Sequence, residues 1–240
     1  FPTHASLDKV SPNNPVLLTH ASGHASFANQ KALELSGIGA GTPNPDGGEI
    51  LKDKSGNPTG LLRETASRLI KRGAGEPTPT AEETETRGRH ALELADQEAI
   101  SKGITSFQDA GSSFELINRV KRMIDEGKMR VRLWMMAREY DPEALAANRV
   151  VGYGNNRLTV RAIKITADGA PGSRGACLPE PYSDLPEGSV PPSTSRVGLP
   201  SVSMDLVRKR AQVALVQGYQ ICIHAIGERA NRVVLNIYEE

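Results

Sequence analysis

Leu158-Thr159-Val160-Arg161-Ala162-Ile163-Lys164-Ile165 and, further on, Tyr219-Gln220-Ile221-Cys222-Ile223-His224 decide how this chain is read. Side chains alternate along a strand, so Val160, Ala162 and Lys164 share one face of the first stretch, with Thr159, Arg161, Ile163 and Ile165 on the other. The isoleucines suit a helix-covered outside, which puts Lys164 inside. The second stretch repeats the arrangement, with Gln220, Cys222 and His224 on one face and Ile221 and Ile223 on the other. A helix over Met204 to Gln217 separates the two. Upstream, Ile104 to Gln108 reads as a strand followed by a helix from Phe114 to Glu126, capped by Ser113 and stopped by Gly127. Arg130 to Met136 then leads into a helix from Pro142 to Asn148, with proline in the tolerated first turn. Four strands alternating with helices imply right-handed crossovers and a parallel sheet. A doubly wound sheet and a (β/α) barrel both satisfy that pattern, and no Gly-x-Gly-x-x-Gly follows a strand to indicate a dinucleotide.

The flanks differ in character. Thr80-Ala81-Glu82-Glu83 has the capping-box pattern and opens a long helix ending before Gly103, and a last helix begins near Glu228. Residues 1–75 are rich in turns such as Pro43-Asn44-Pro45-Asp46-Gly47-Gly48 and Ser55-Gly56-Asn57-Pro58. There the sequence predicts strands at Val16 to Thr19 and Glu49 to Leu51. It predicts helices from Ala25 to Leu35 and from Leu61 to Arg72, closing on Gly37 and Gly73. This is a small α+β segment, joined by the linker Gly73 to Pro79 to the β/α part from residue 76 to 240.

Across 240 residues, 29 Lys and Arg balance 28 Asp and Glu to a net charge of +1. That leaves no global field for nucleic acid or an anionic membrane. One Trp, five Tyr and four Phe give base stacking little to work with. No apolar run approaches the roughly 18–20 residues of a membrane span. Cys177 and Cys222 are the only cysteines, too few for a disulfide scaffold. Phe1 with the following residues carries no export signal, and the chain breaks off in an amphipathic helix. The expectation is a cytoplasmic protein and an excerpt of a longer polypeptide, partnered by a small molecule, with a homo-oligomer or the remainder of the same chain completing it.

Lys164 and His224 end the inward rows of successive strands. In a barrel the C-terminal strand ends carry the catalytic groups, although a strand-end His also serves as a hydrogen-bonded structural residue and an inward Lys can reach solvent. The loop Asp168-Gly169-Ala170-Pro171-Gly172-Ser173-Arg174-Gly175 supplies glycines for close approach, an Asp and an Arg, without the Gly-Lys-Ser/Thr of a P-loop. It reads as a site wall, with Asp168 and Arg174 as candidate substrate-binding residues. His20 and His24 stand four apart, but Ser22-Gly23 between them argues against a zinc-binding helix, and His24 reads instead as a residue lining a pocket.

These stretches together resemble the metal-dependent amidohydrolases of the amidohydrolase family 3 type. The matching residues are Ser22-Gly23-His24-Ala25 with Asn29-Gln30-Lys31-Ala32-Leu33, Gly56 to Glu64, Gly103 to Gly111, Ile163-Lys164-Ile165-Thr166-Ala167-Asp168-Gly169, Gly172-Ser173-Arg174, and His224-Ala225-Ile226-Gly227-Glu228-Arg229. The resemblance implies a partial (β/α)8 TIM barrel, about strands two to five, with residues 1–75 as an inserted cap. It also implies Lys164 carboxylated by CO2 and, with His224, a ligand of one or two divalent ions, zinc above all. A first-strand His-x-His would then precede Phe1, and a sixth-strand His and the general-base Asp would follow Glu240. The activity implied is hydrolysis of a C–N bond other than a peptide bond. Two other readings stay open: a Schiff-base lysine enzyme using Lys164, and a non-catalytic fragment or binding module.

Overall fold

The computed structural model describes residues 2–71, 73, 77–185 and 195–240. The end of the helix expected at Arg72, residues 74–76 of the linker Gly73 to Pro79 and part of the long loop before Pro200 lie outside the described residues. The chain forms two compact units. Phe1–Glu76, Thr166–Val207 and His224–Glu240 make the first; Pro77–Ile165 and Arg208–Ile223 make the second.

Within the first unit, the short helix α1 (Ala5–Val10) precedes β1 (Leu17–Thr19), β2 (Ala25–Ala28), α2 (Gln30–Ser36), β3 (Gly48–Lys52) and β4 (Pro58–Glu64). The strands form one sheet in the order β1-β2-β4-β3, antiparallel throughout. Two expectations change here. The helix expected from Ala25 starts at Gln30, because Ala25–Ala28 fills the slot between β1 and β4. Asn29 separates strand from helix: its Oδ1 accepts from the Ala32 N–H at 3.0 Å, while its Nδ2 donates to Ser11 O and Asn14 O. The helix expected over Leu61–Arg72 is instead strand β4 followed by a 3-10 helix at Thr65–Leu69. Pairing on both edges outweighs helix propensity at Leu61-Leu62-Arg63, and Leu62 drops fully buried into a core with Ala28, Leu33, Ile50 and Ala66.

The second unit carries the parallel sheet. Its elements are α3 (Ala81–Ser101), β5 (Ser106–Ser112), α4 (Phe114–Asp125), β6 (Arg132–Ala137), α5 (Pro142–Asn148), β7 (Val150–Gly152), the single turn α6 (Tyr153–Asn156), β8 (Leu158–Thr166), α7 (Met204–Val216) and β9 (Gln220–His224). Strand order is β5-β6-β8-β7, with β9 also paired to β8; β5, β6 and β8 run parallel. The expected capping box forms, with Thr80 and Glu83 exchanging side-chain to backbone bonds. The expected Ser113 cap forms as well, accepting from Leu116 N. Helix α4 buries Ile117, Val120, Met123 and Ile124 at helical spacing. They pack in one core with Met135, Leu145 and Ala214. Asp96 of α3 reaches under the sheet, where its carboxylate accepts from Arg130 N (2.8 Å), Val131 N (2.9 Å) and Arg130 Nε (2.7 Å).

Strict alternation fails at one point in β8. Met135 pairs with Val160 and Met136 with Ala162, which leaves Arg161 as an extra residue. Such a bulge shifts the face of everything after it. Leu158 and Val160 therefore join the same core as Ile163, whereas Val160 was expected beside Lys164. Lys164 still lies opposite Ile163 and Ile165.

The first unit resumes with the Asp168–Gly175 loop and α8 (Glu228–Glu239), which buries Ala230, Val234 and Ile237. The result is a mixed α/β fold with a parallel sheet. Among the described residues no helix is long and apolar enough to cross a membrane.

Candidate functional site

Lys164, in the second unit, sits past the bulge of β8 and is half-buried. Burial pushes its ammonium below the usual lysine range, Arg138 adds repulsion, and Cys222 opposes both weakly. Tyr140 fixes the backbone here: its hydroxyl donates to Lys164 O at 2.7 Å, and the Arg210 guanidinium lies 3.7 Å from its ring centre. The chemical consequence is an amine that gives up its proton more easily than a solvated lysine.

The first unit gathers His24, Glu64, Asp168, Ser201 and His224. His224 ends β9, and its carbonyl accepts from Ala167 N at 2.9 Å. Its ring stacks on that of His24, with centroids 4.9 Å apart and planes inclined by 26°. The backbone just after His224 is held by Asp168, whose fully buried carboxylate accepts from Ile226 N at 2.9 Å, Gly227 N at 2.8 Å and Cys177 N at 2.8 Å. Gly227 is required at this crossing, because a Cβ there would overlap the backbone of Cys177.

Glu64 is the residue the sequence reading did not single out. Its Oε2 lies 2.9 Å from His24 Nδ1, its backbone N–H donates to His24 O at 2.9 Å, and Ser201 Oγ stands 3.4 Å away. Burial pushes its carboxyl above the usual range, outweighing the hydrogen bond from His24 and the weaker contributions of Ser201 and Arg63. Its backbone adopts φ 51° and ψ −125°, a conformation that glycine favours and that costs a residue with a side chain about 1–3 kcal/mol. The preceding residue is anchored independently: Arg63, fully buried, pairs with Glu49 across the β3–β4 ladder and donates to Arg174 O. The only sequence signal for Glu64 was its place at the end of Gly60-Leu61-Leu62-Arg63-Glu64. Its partner is 40 positions away, and only the antiparallel β2–β4 pairing brings the two together.

The expected residues thus fall into two groups. His24 and His224 meet in ring contact, and Asp168 reaches the same segment through its backbone hydrogen bonds. Arg174 shapes its own loop, bonding Asp184 through Nε at 3.0 Å and Pro171 O and Gly172 O through Nη1. Lys164 and Cys222 belong to the other unit. His20 lies on the exposed turn between β1 and β2, bonded to Ser22 Oγ at 2.8 Å. Among the described residues no three or more His, Cys, Asp or Glu are grouped so as to hold a metal ion.

The amidohydrolase family profile matches residues 1–240. This chain belongs to the amidohydrolase family. It is 32% identical over 246 residues to N-substituted formamide deformylase of Arthrobacter pascens, covering 99% of this chain and 43% of that protein. To the putative amidohydrolase YtcJ of Bacillus subtilis strain 168 it is 31% identical over 244 residues, covering 99% and 43%. The LONG AFTER FAR-RED 3 protein of Arabidopsis thaliana is 30% identical over 256 residues, covering 100% of this chain and 41% of its own length. Among solved structures, an uncharacterized metal-dependent hydrolase from Pyrococcus horikoshii OT3 superposes with a TM-score of 0.59 at 25% identity, covering 100% of this chain and 44% of that one. A second, from Pyrococcus furiosus, gives 0.57 at 25% identity, covering 100% and 46%. The chain therefore spans less than half the length of the curated amidohydrolase relatives it matches.

Proposed function

We propose that this chain is part of a metal-dependent amidohydrolase that cleaves a C–N bond other than a peptide bond in a small molecule. The family match along all of residues 1–240 carries the reaction class. The state of Lys164 supports the chemistry. An amine that deprotonates readily adds CO2, forming an N–C bond and releasing one proton, and the resulting carbamate is an anionic oxygen donor. In this reading Lys164, as its carbamate, and His224 are ligands of one or two divalent ions, zinc foremost.

Imidazole nitrogen and carbamate oxygen are donor types such an ion accepts. In this reading the span contributes part of a ligand set, alongside length the relatives have and this chain does not span. A bound divalent ion acidifies water and polarises a carbonyl. The chain's own residues do the positioning: Asp168 fixes the backbone after His224, Tyr140 fixes that of Lys164, and His24 and Arg174 line the substrate side. The same reading divides the chain into a cap of residues 1–75 and a partial barrel of residues 76–240, in a cytoplasmic enzyme.

Assay of the full-length protein on N-substituted formamides, other non-peptide amides and dipeptides tests the reaction class. Amine release from the non-peptide amides alone is expected, and turnover of dipeptides alone would overturn it. A Schiff-base lysine enzyme would instead give covalent trapping of a carbonyl substrate on Lys164 by borohydride.

A further inference from the structure

We propose that Glu64 is a positioning residue that holds His24 with its proton on Nδ1, leaving Nε2 as the bare acceptor for an N–H or O–H donor of the substrate. Six observations converge on it. The Glu64 side chain is 4% exposed, its Oε2 meets Nδ1 at 2.9 Å, and its backbone N–H holds the His24 carbonyl at the same time. Its other oxygen, Oε1, is buried with no hydrogen-bond donor among the described residues. That oxygen is packed against Gly169 and Gly175, where a Cβ on either residue would overlap it. Enclosed on that side, the carboxylate meets its partners through Oε2, His24 at 2.9 Å and Ser201 at 3.4 Å. The off-strand backbone at Glu64, φ 51°, is what turns it there.

A neutral imidazole whose Nδ1–H is given to a carboxylate presents Nε2 without a proton. The ring is further confined by stacking on His224, so both its tautomer and its plane are set. Its side chain is 16% exposed, which leaves an approach for a small ligand. A substrate carrying a C–N bond with an N–H supplies the donor class that fits. What His24 then does for turnover rests on the proposed hydrolase; its orientation by Glu64 does not.

The test uses full-length protein labelled with 15N-histidine, the His24 signals being identified by their loss in His24→Asn. In the parent protein, Nδ1 is expected in the protonated range and Nε2 in the unprotonated range. In Glu64→Ala, both nitrogens are expected to move toward the averaged values of exchanging tautomers, with kcat/KM lowered roughly 10–100-fold. Glu64→Asp, one methylene too short to reach Nδ1, keeps the charge and is expected to give the same spectral change should the alanine variant not fold. Unchanged His24 signals in both variants, or a protonated Nε2 in the parent, would overturn the proposal. Because the spectra need neither metal nor turnover, absence of hydrolase activity with the expected spectra would refute the proposed function and leave this inference standing.

Discussion

Asp96 of the second unit and Glu64 of the first both have buried carboxylates, and the two are treated oppositely. Asp96, in the second unit, is 3% exposed and accepts three hydrogen bonds from Arg130 and Val131, just before β6. Burial opposes its ionisation, but the bonds from Val131 and Arg130 outweigh it, and the group ionises below the usual range. Glu64, in the first unit, has a buried side chain bonded to His24 at 2.9 Å and to Ser201 at 3.4 Å, and there burial outweighs the bonds, so it ionises above the usual range. Burial raises both carboxyls and hydrogen-bond donors lower them, so the balance of the two sets the direction of each shift. A carboxylate supplied with donors is a fixture of the fold, whereas one left short of them is held by the fold at a cost, in this molecule beside His24.

Asp96→Ala should break the fixture outright. Two backbone N–H groups and a guanidinium lose their acceptor, at about 1–3 kcal/mol for each buried group left unpaired. Urea denaturation is expected to show a loss of about 3 kcal/mol or more. Gly169→Ala comes next, at about 1–3 kcal/mol, because its Cβ overlaps Glu64 Oε1. Adding Glu64→Ala should recover most of that loss, so the double-mutant cycle must be strongly non-additive; additive losses would remove the cradle from the argument. Glu64→Gln should be the mildest, neutral to stabilising by up to about 1 kcal/mol near pH 7, since it deletes a charge that burial disfavours.

The pH dependence sharpens the contrast further. The folded chain holds the Asp96 proton less tightly than the unfolded chain. Its increment of stability is complete above the ordinary carboxylate range and drains away as pH falls through the depressed folded value. Glu64 has the opposite sign: the folded chain holds its proton more tightly, so its increment is present in acid and is lost as pH rises through the raised folded value. Between about pH 3 and about pH 7, Asp96→Asn should lose ground against the parent and Glu64→Gln should gain on it, each read from denaturant midpoints.

How far the sequence could be read follows the same division. Helices α4 and α5 were legible to within a residue, because Ser113 and Pro142 are local signals that act where they stand. The parallel strands were legible from alternating burial, until Arg161 entered as an extra residue that no local pattern marks. In the first unit, Ala25–Ala28 and Leu61–Glu64 are strands because each is the other's neighbour in the sheet, and small or leucine-rich segments carry no local preference strong enough to show it. Lys164 and His224 could be picked out as polar ends of apolar strands. Glu64 could not, since what distinguishes it is a partner supplied by tertiary pairing and two glycines more than a hundred positions downstream.

The proposed chemistry rests on a metal-dependent reaction in which Lys164 takes part. The most direct measurement is hydrolysis of an N-substituted formamide by the full-length protein, before chelation, after it, and after zinc is restored in bicarbonate, alongside Lys164→Arg. The expected result is activity lost on chelation and regained with zinc and bicarbonate, with the arginine variant lower by about 10³-fold, the scale of losing one preorganised catalytic group. Activity indifferent to chelation, or an arginine variant as active as its parent, would contradict it.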